Sequence, residues 1–269
     1  MKVSSWMPAF DVRLVCRRLL GSLVGLAVFL ACASAPYTGR KQLLLISEAE
    51  ESQMGKIAYE EGLAEARLSN NADEIALVRR VADRIAAAAD RPDYDWEVRL
   101  IEDDKTANAY ALPGGKVAVY SGILPITRTE DGLAVVLGHE VAHAILRHGG
   151  ERVSQGVLVQ LGAAAMAAGM RDRDPKVVNV WLNAYGVATG VAVMLPFSRD
   201  QESEADHVGL IFMTKAGYEP KEAIAFWERM ETAGGDGPPE FLSTHPSHET
   251  RIANIRKWLP EMERYRPKR

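Results

Sequence analysis

Residues 139–143 read HEVAH, two histidines four positions apart with a glutamate directly after the first, set in an apolar run. Four residues advance an α-helix by a little over one turn, so His139 and His143 leave the same face about 6 Å apart, and both imidazoles can reach one cation. Glu140, one position on, leans toward the open side of such an ion, where its carboxylate can take a proton from water. Leu133, Ala134, Val135, Val136 and Leu137 precede the cluster, and Val141, Ala142, Ile145 and Leu146 follow it, so the helix is apolar on most sides and belongs in a core. Polar groups placed there without partners carry a desolvation cost that a metal offsets. The pattern predicts one zinc ion per chain and hydrolytic chemistry beside it.

A catalytic zinc usually takes three protein ligands and keeps the fourth position open. A metzincin arrangement needs Gly at 146 and His at 149; the chain has Leu146 and Gly149, which excludes that class. Farther along, SRDQESEADHVGL (residues 198–210) has helical spacing, with Ser198 placed to cap it and Glu202 and Asp206 four apart on one face. Glu202 can ligate zinc while Asp206 accepts a hydrogen bond from the far nitrogen of a ligand histidine and fixes its tautomer. Glu204 and His207 are rival ligands, though neither has an acidic partner so placed, and position alone does not decide among them. On charge pattern alone, a solvated acidic face is the commoner meaning of such a segment.

Four segments extend the pattern: NAYALPGGKVAVYSGIL from Asn108, LAVVLGHEVAHAILRH from Leu133, LPFSRDQESEADHVGL from Leu195 and STHPSHETRIANI from Ser243. In this order, spread over most of residues 36–258, they resemble the HtpX and CAAX prenyl-protease group of gluzincin zinc endopeptidases, and within it the bacterial periplasmic lipoprotein members of the LoiP and BepA kind. The resemblance implies an α+β fold, a mainly α-helical zincin-like metallopeptidase domain with a small β-sheet. It implies His139, His143 and Glu202 as zinc ligands, Glu140 as the catalytic base and Asp206 as the acid behind a ligand. It also points His245 and Arg251 at the cleft, where they could stabilise the oxyanion of the tetrahedral intermediate. His245 could instead reach the metal's open position in the resting enzyme and block water activation. His148 and His248 carry structural readings only.

The same resemblance makes the 108–120 region an edge strand bordering the metal cleft, with Asn108, Ala109, Val117 and Val119 as substrate contacts. Backbone pairing along an edge needs no particular side chain and so permits cleavage of varied or unfolded chains. An ordinary hairpin closed by Pro113-Gly114-Gly115 is the alternative. Relatives of this kind often add a C-terminal helical-repeat domain, and the expectation here is a stand-alone catalytic domain over 47–262 with a tail at 263–269. Its expected substrates are unfolded or misfolded envelope proteins, in a quality-control role.

A 269-residue chain with 47% hydrophobic residues can bury one substantial core. A net charge of −4 with no basic stripe argues against nucleic acid as a partner. Lys2, Arg13, Arg17 and Arg18 precede the apolar stretch Leu19–Leu30, and ACASA follows, which is the layout of an export signal over residues 1–31. Of the two cysteines, Cys16 lies inside that signal, so no intrachain disulfide remains to the mature chain. Cys32, directly after the apolar run, looks like the lipid-accepting residue of a bacterial lipoprotein, with cleavage after Ala-Cys-Ala as the alternative. Ala33 beside it, by the family's general biology, implies outer-membrane sorting. The expectation is therefore a lipid-anchored protein on the periplasmic side of a bacterial envelope, tethered through residues 32–46.

Ser47 with Glu50 forms a capping box for a helix running to Leu68, and Asn71 opens a second through Ala89 with Ile75, Leu77, Val78, Val81 and Ile85 on its core face. YDWEVRLIE alternates as a strand does, and residues 108–111 and 116–120 form a hairpin. Two apolar stretches, 153–170 and 177–197, are broken by polar residues such as Asn179 and Asn183, so they read as helices packed on the core or lying against a membrane surface rather than as spans. A rival of a different class is a lipid-anchored chaperone-like or binding protein with a structural metal. A structural zinc fills all four ligand positions and has no use for Glu140, which favours the enzyme.

Overall fold

The computed structural model describes residues 32–183, 198–233, 239–245 and 249–267. The export signal expected over residues 1–31 and much of the apolar stretch 177–197 lie outside them. The chain enters through two short strands, β1 (Cys32–Ser34) and β2 (Lys41–Leu43), paired antiparallel. This strand pair lies within residues 32–46, the segment expected as a tether. Its turn holds Tyr37 edge-on against Phe212, with 5.4 Å between ring centroids.

Helix α1 (Glu48–Ala64) starts at the expected capping box of Ser47 and Glu50 and ends four residues short of Leu68, which instead bridges to Ile101. Helix α2 (Ala72–Ala89) is capped by the Asn71 side chain and stops at Asp90, whose left-handed φ of 54° turns the chain before Pro92. It buries Val78, Val81 and Ile85. Strands β3 (Glu97–Ile101), β4 (Ala109–Leu112) and β5 (Lys116–Tyr120) then form a sheet in the order β3-β5-β4, with β3 parallel and β4 antiparallel to β5. Val117 and Val119 face the main core, while Ala118 meets Tyr59 of α1 on the other side, as strand alternation requires.

Helix α3 (Glu130–Ile145), capped by Thr129, carries HEVAH and buries every residue from Gly132 to Ile145. Arg147 takes a left-handed conformation and turns the chain into α4 (His148–Gly169). Only the first turns of α4 are buried; Leu161 is 60% exposed, and Val180 and Trp181 in the helical stretch 175–183 are 67% and 57% exposed. Among the described residues of these two stretches, packing on the core is confined to the start of α4, and residues 184–197 lie outside those described. Among the described residues no helix is long and apolar enough to cross a membrane.

Helix α5 (Arg199–Lys215), with Ser198 and Gln201 as its capping box, crosses α3 at a pair of glycines. A Cβ on Gly138 would lie 2.8 Å from the carbonyl oxygen of Gly209, and one on Gly209 would lie 2.9 Å from the amide nitrogen of His139. No side chain fits between two backbones so close, and the bare glycines let the acidic helix approach the histidine helix one residue before the motif begins. Helix α6 (Glu222–Thr232) buries Phe226, Trp227 and Met230, a short helix Glu240–Thr244 buries Phe241, and α7 (Glu249–Met262) closes the core with Ile255. The molecule is mainly α-helical with small sheets, an α+β fold as expected.

Candidate metal centre

One turn of α3 presents His139 and His143, with 3.1 Å between their Nε2 atoms. Across the glycine crossing, α5 supplies Glu202, whose Oε2 lies 3.4 Å from His139 Nε2 and whose Oε1 lies 3.4 Å from His143 Nε2. Ligands about 2.0–2.1 Å from one zinc in a tetrahedron stand roughly 3.3–3.5 Å apart, so these separations suit a shared ion. His245 completes the group: its Nδ1 is 3.0 Å from Glu202 Oε1 and 3.2 Å from His139 Nε2. Ligand atoms from all four residues fall within 4.8 Å of one another. Glu202 Oε2 is buried without a hydrogen-bond partner, which is how a carboxylate oxygen looks when a cation is meant to satisfy it, and Glu140 Oε1 beside the cluster likewise has none. The donor set of imidazoles and carboxylate is one that zinc accepts.

Behind His139 stands the acid foreseen at position 206. Asp206 Oδ1 is 2.9 Å from His139 Nδ1, so this ring donates there and leaves Nε2 free for a metal. Asp206 in turn accepts from Arg251, Nε to Oδ2 at 2.6 Å and Nη2 to Oδ1 at 2.8 Å. The Arg251 guanidinium lies 3.4 Å over the Trp227 ring. Arg251 was expected to face an oxyanion in the cleft. The structure buries it with Nε and Nη2 on Asp206, Nη2 also 3.3 Å from Glu202 Oε2 and Nη1 donating to the His245 carbonyl at 3.5 Å, so it stands behind the ligand residues and orients the acid behind His139.

Glu140 differs from its neighbours. Burial pushes its carboxyl up to about 7, with the Glu202 charge adding to this and His245, Arg251 and the backbone of Ala111 working against it. Glu202 is also pushed up by burial, but His139, His143 and His245 outweigh that and hold it well below the usual carboxylate range. The Ala111 contact shows that β4 borders Glu140. Of the four residues expected to bind substrate, Asn108 and Ala109 lie at the start of this outer strand, with the Ala109 side chain buried. Val117 and Val119 sit on β5, which is hydrogen-bonded on both sides, and so have no free backbone to offer an incoming chain. That correction moves edge pairing to β4 alone.

Glu204 and His207, the rival ligands, turn elsewhere: His207 Nε2 pairs with Glu261 at 3.1 Å, and Glu204 Oε2 accepts from His148 Nε2 at 3.0 Å. His148, read only as structural, lies with Nδ1 2.9 Å from His143 Nδ1. No periodicity could have placed it, because it follows the left-handed Arg147 that breaks the helix. Cys32 is exposed on β1. His248 lies outside the described residues.

A helical zincin-like core with a two-histidine, one-carboxylate cluster beside a buried glutamate defines the metallopeptidase class. The profile of Peptidase family M48 matches residues 72–259, and the chain belongs to that family. It is 37% identical over 253 residues to the mitochondrial metalloendopeptidase OMA1 of Schizosaccharomyces pombe, covering 91% of this chain and 72% of that one. The OMA1 of Saccharomyces cerevisiae is 38% identical over 173 residues, 62% of this chain and 48% of its own. The beta-barrel assembly-enhancing protease of Escherichia coli is 25% identical over 238 residues, 81% of this chain and 45% of its own. The expectation of a bacterial outer-membrane lipoprotein is overturned here: the relatives of higher identity, from fungi, a plant and animals, are named as mitochondrial.

Proposed function

We propose that the chain is a zinc-dependent endopeptidase of the OMA1 kind, with His139, His143 and Glu202 holding the metal and Glu140 as general base. The observation that carries this reading is the convergence of ligand atoms from His139, His143 and Glu202 beside the buried carboxyl of Glu140, whose seclusion from water favours a group able to take and give a proton. Zinc held there would polarise a peptide carbonyl and acidify water. Glu140 takes the proton from the attacking water and returns it to the leaving amine. Asp206, steadied by Arg251, keeps His139 in the tautomer that faces the metal. The free edge of β4 aligns an extended chain by its backbone, which supports unfolded polypeptides as substrates and a role in protein quality control. Glu140→Gln should keep stoichiometric zinc and lose casein cleavage by a factor of about a hundred or more; full activity in that variant would overturn the assignment.

A second reading has its own observation. With His245 included, four ligand atoms converge, which is the closed set of a structural zinc. Glu140 stands against it, since its buried carboxyl, with Oε1 3.3 Å from His245 Nε2, has no function in a structural site. We read His245 instead as a resting-state latch. The cluster is buried, and the His245 ring lies 3.3 Å from Glu140 and 3.0 Å from Glu202, so its displacement would open the way to both carboxylates.

A further inference from the structure

The histidine ring that faces His143 ends a chain of contacts leading out of the metal centre to the first strand pair. If His143 offers its Nε2 lone pair to the site, its proton is on Nδ1 and is donated to His148 Nδ1 at 2.9 Å. His148 then carries its own proton on Nε2 and donates it to Glu204 Oε2 at 3.0 Å. This arrangement of two protons fits every contact in the row and leaves His143 in the metal-binding tautomer. Glu204 is buried, and three groups face it: His148, the Thr38 hydroxyl on Oε1, and Arg40, whose Nε donates to Oε2 at 2.5 Å. Arg40 also grips Glu151 with both terminal nitrogens, at 3.0 and 2.7 Å, and Glu151 accepts from Gln201 in the first turn of α5 at 2.9 Å. The Arg40 carbonyl accepts from the Ala35 amide at 2.8 Å, which fixes the Arg40 backbone in the turn between β1 and β2.

His139 has a carboxylate and an arginine behind it, Asp206 and Arg251. His143 has the same pair at one remove, Glu204 and Arg40 acting through His148. Resting on the zinc reading given above, we infer that His148 and Glu204 are positioning residues for His143, and that Arg40 makes the β1–β2 turn a supporting part of the metal centre. Outer contacts of this type set ligand tautomer and orientation, and their removal typically costs about 10–100-fold in metal affinity. An ion pair with a purely structural role would alter melting but leave zinc affinity where it was.

The test uses the full chain and reads the zinc dissociation constant by competition with a chromophoric chelator, with circular dichroism to confirm folding. His148→Gln has an amide long enough to accept from His143 and donate to Glu204, whereas His148→Asn is polar but too short to bridge them. The inference expects His148→Asn to bind zinc about 10–100-fold more weakly, Arg40→Met to weaken it by about tenfold, and His148→Gln to recover most of the loss. Cobalt-loaded His148→Asn should also show a shifted visible absorption band, as a reoriented ligand requires. Parental affinity in His148→Asn and Arg40→Met overturns the inference, and so does a His148→Gln variant no better than His148→Asn. Absence of zinc from the parent chain itself would instead strike the site reading on which the inference stands.

Discussion

Glu140 and Glu202 are carboxylates buried in one cluster, yet their surroundings drive them in opposite directions. Burial raises both; three imidazoles overcome it at Glu202, while Glu140 is left near 7. The division gives a permanent anion for a cation to bind and a group that can both take and give a proton. His245 belongs to neither role. Its Nδ1 lies among the ligand atoms and its Nε2 is 3.3 Å from Glu140, so its removal should open the site: His245→Ala should retain zinc and cleave casein several-fold faster than the parent. A loss of about a hundredfold or more, as removal of an oxyanion donor produces, would contradict the latch. At this scale the sequence is legible wherever a period fixes direction. His139 and His143 lie one turn apart on a buried helix with Glu140 directly after the first, and Asp206 follows Glu202 by four. The partners of Arg251 are not legible, because spacing says nothing about which acid a long side chain will find.

Two helices make the centre, and neither presents it alone. Gly138 on α3 and Gly209 on α5 have each other's backbones within 3 Å of where a Cβ would stand, so α5 can deliver Glu202 and Asp206 to histidines on another element. Gly209→Ala would force the helices apart, since the atoms it meets are main chain; a loss of about 1–3 kcal/mol in denaturant unfolding, with reduced zinc content, is expected. Unchanged zinc binding in that variant would show that the crossing does not set the site. The capping residues Ser47, Asn71 and Ser198 were readable because each completes its first turn from a local side chain. The strand order was not. A hairpin of β4 and β5 is visible in the sequence, but β3 joining the far side of β5 depends on long-range pairing, and that pairing is what removes Val117 and Val119 from the edge.

Over the whole molecule, charges buried between elements tie the first strand pair, α1, α4 and α5 together. Arg147 pairs with Glu51 at 2.7 Å, and Arg40 bridges Glu151 and Glu204. Burial works to raise Glu204, but His148, Thr38 and Arg40 more than reverse it and hold its carboxyl at about 2, below its ordinary 4.5. A carboxyl lowered on folding adds stability that is complete above its unfolded value and drains away as pH falls through the folded one. The denaturation midpoint of the parent should therefore drop between about pH 4.5 and 2, and Glu204→Gln should flatten that fall; parallel profiles would rule out the network as its source. This network was illegible beforehand, because Arg40, Glu151 and Glu204 are joined only by the completed fold.

The account depends on one metal ion between His139, His143 and Glu202. A crystal of the purified chain, with diffraction recorded on both sides of the zinc absorption edge, tests it most directly. A single strong anomalous peak bonded to both Nε2 atoms and the Glu202 carboxylate is the expected result. No peak there, or one with Glu202 turned away from the two imidazoles, would contradict it.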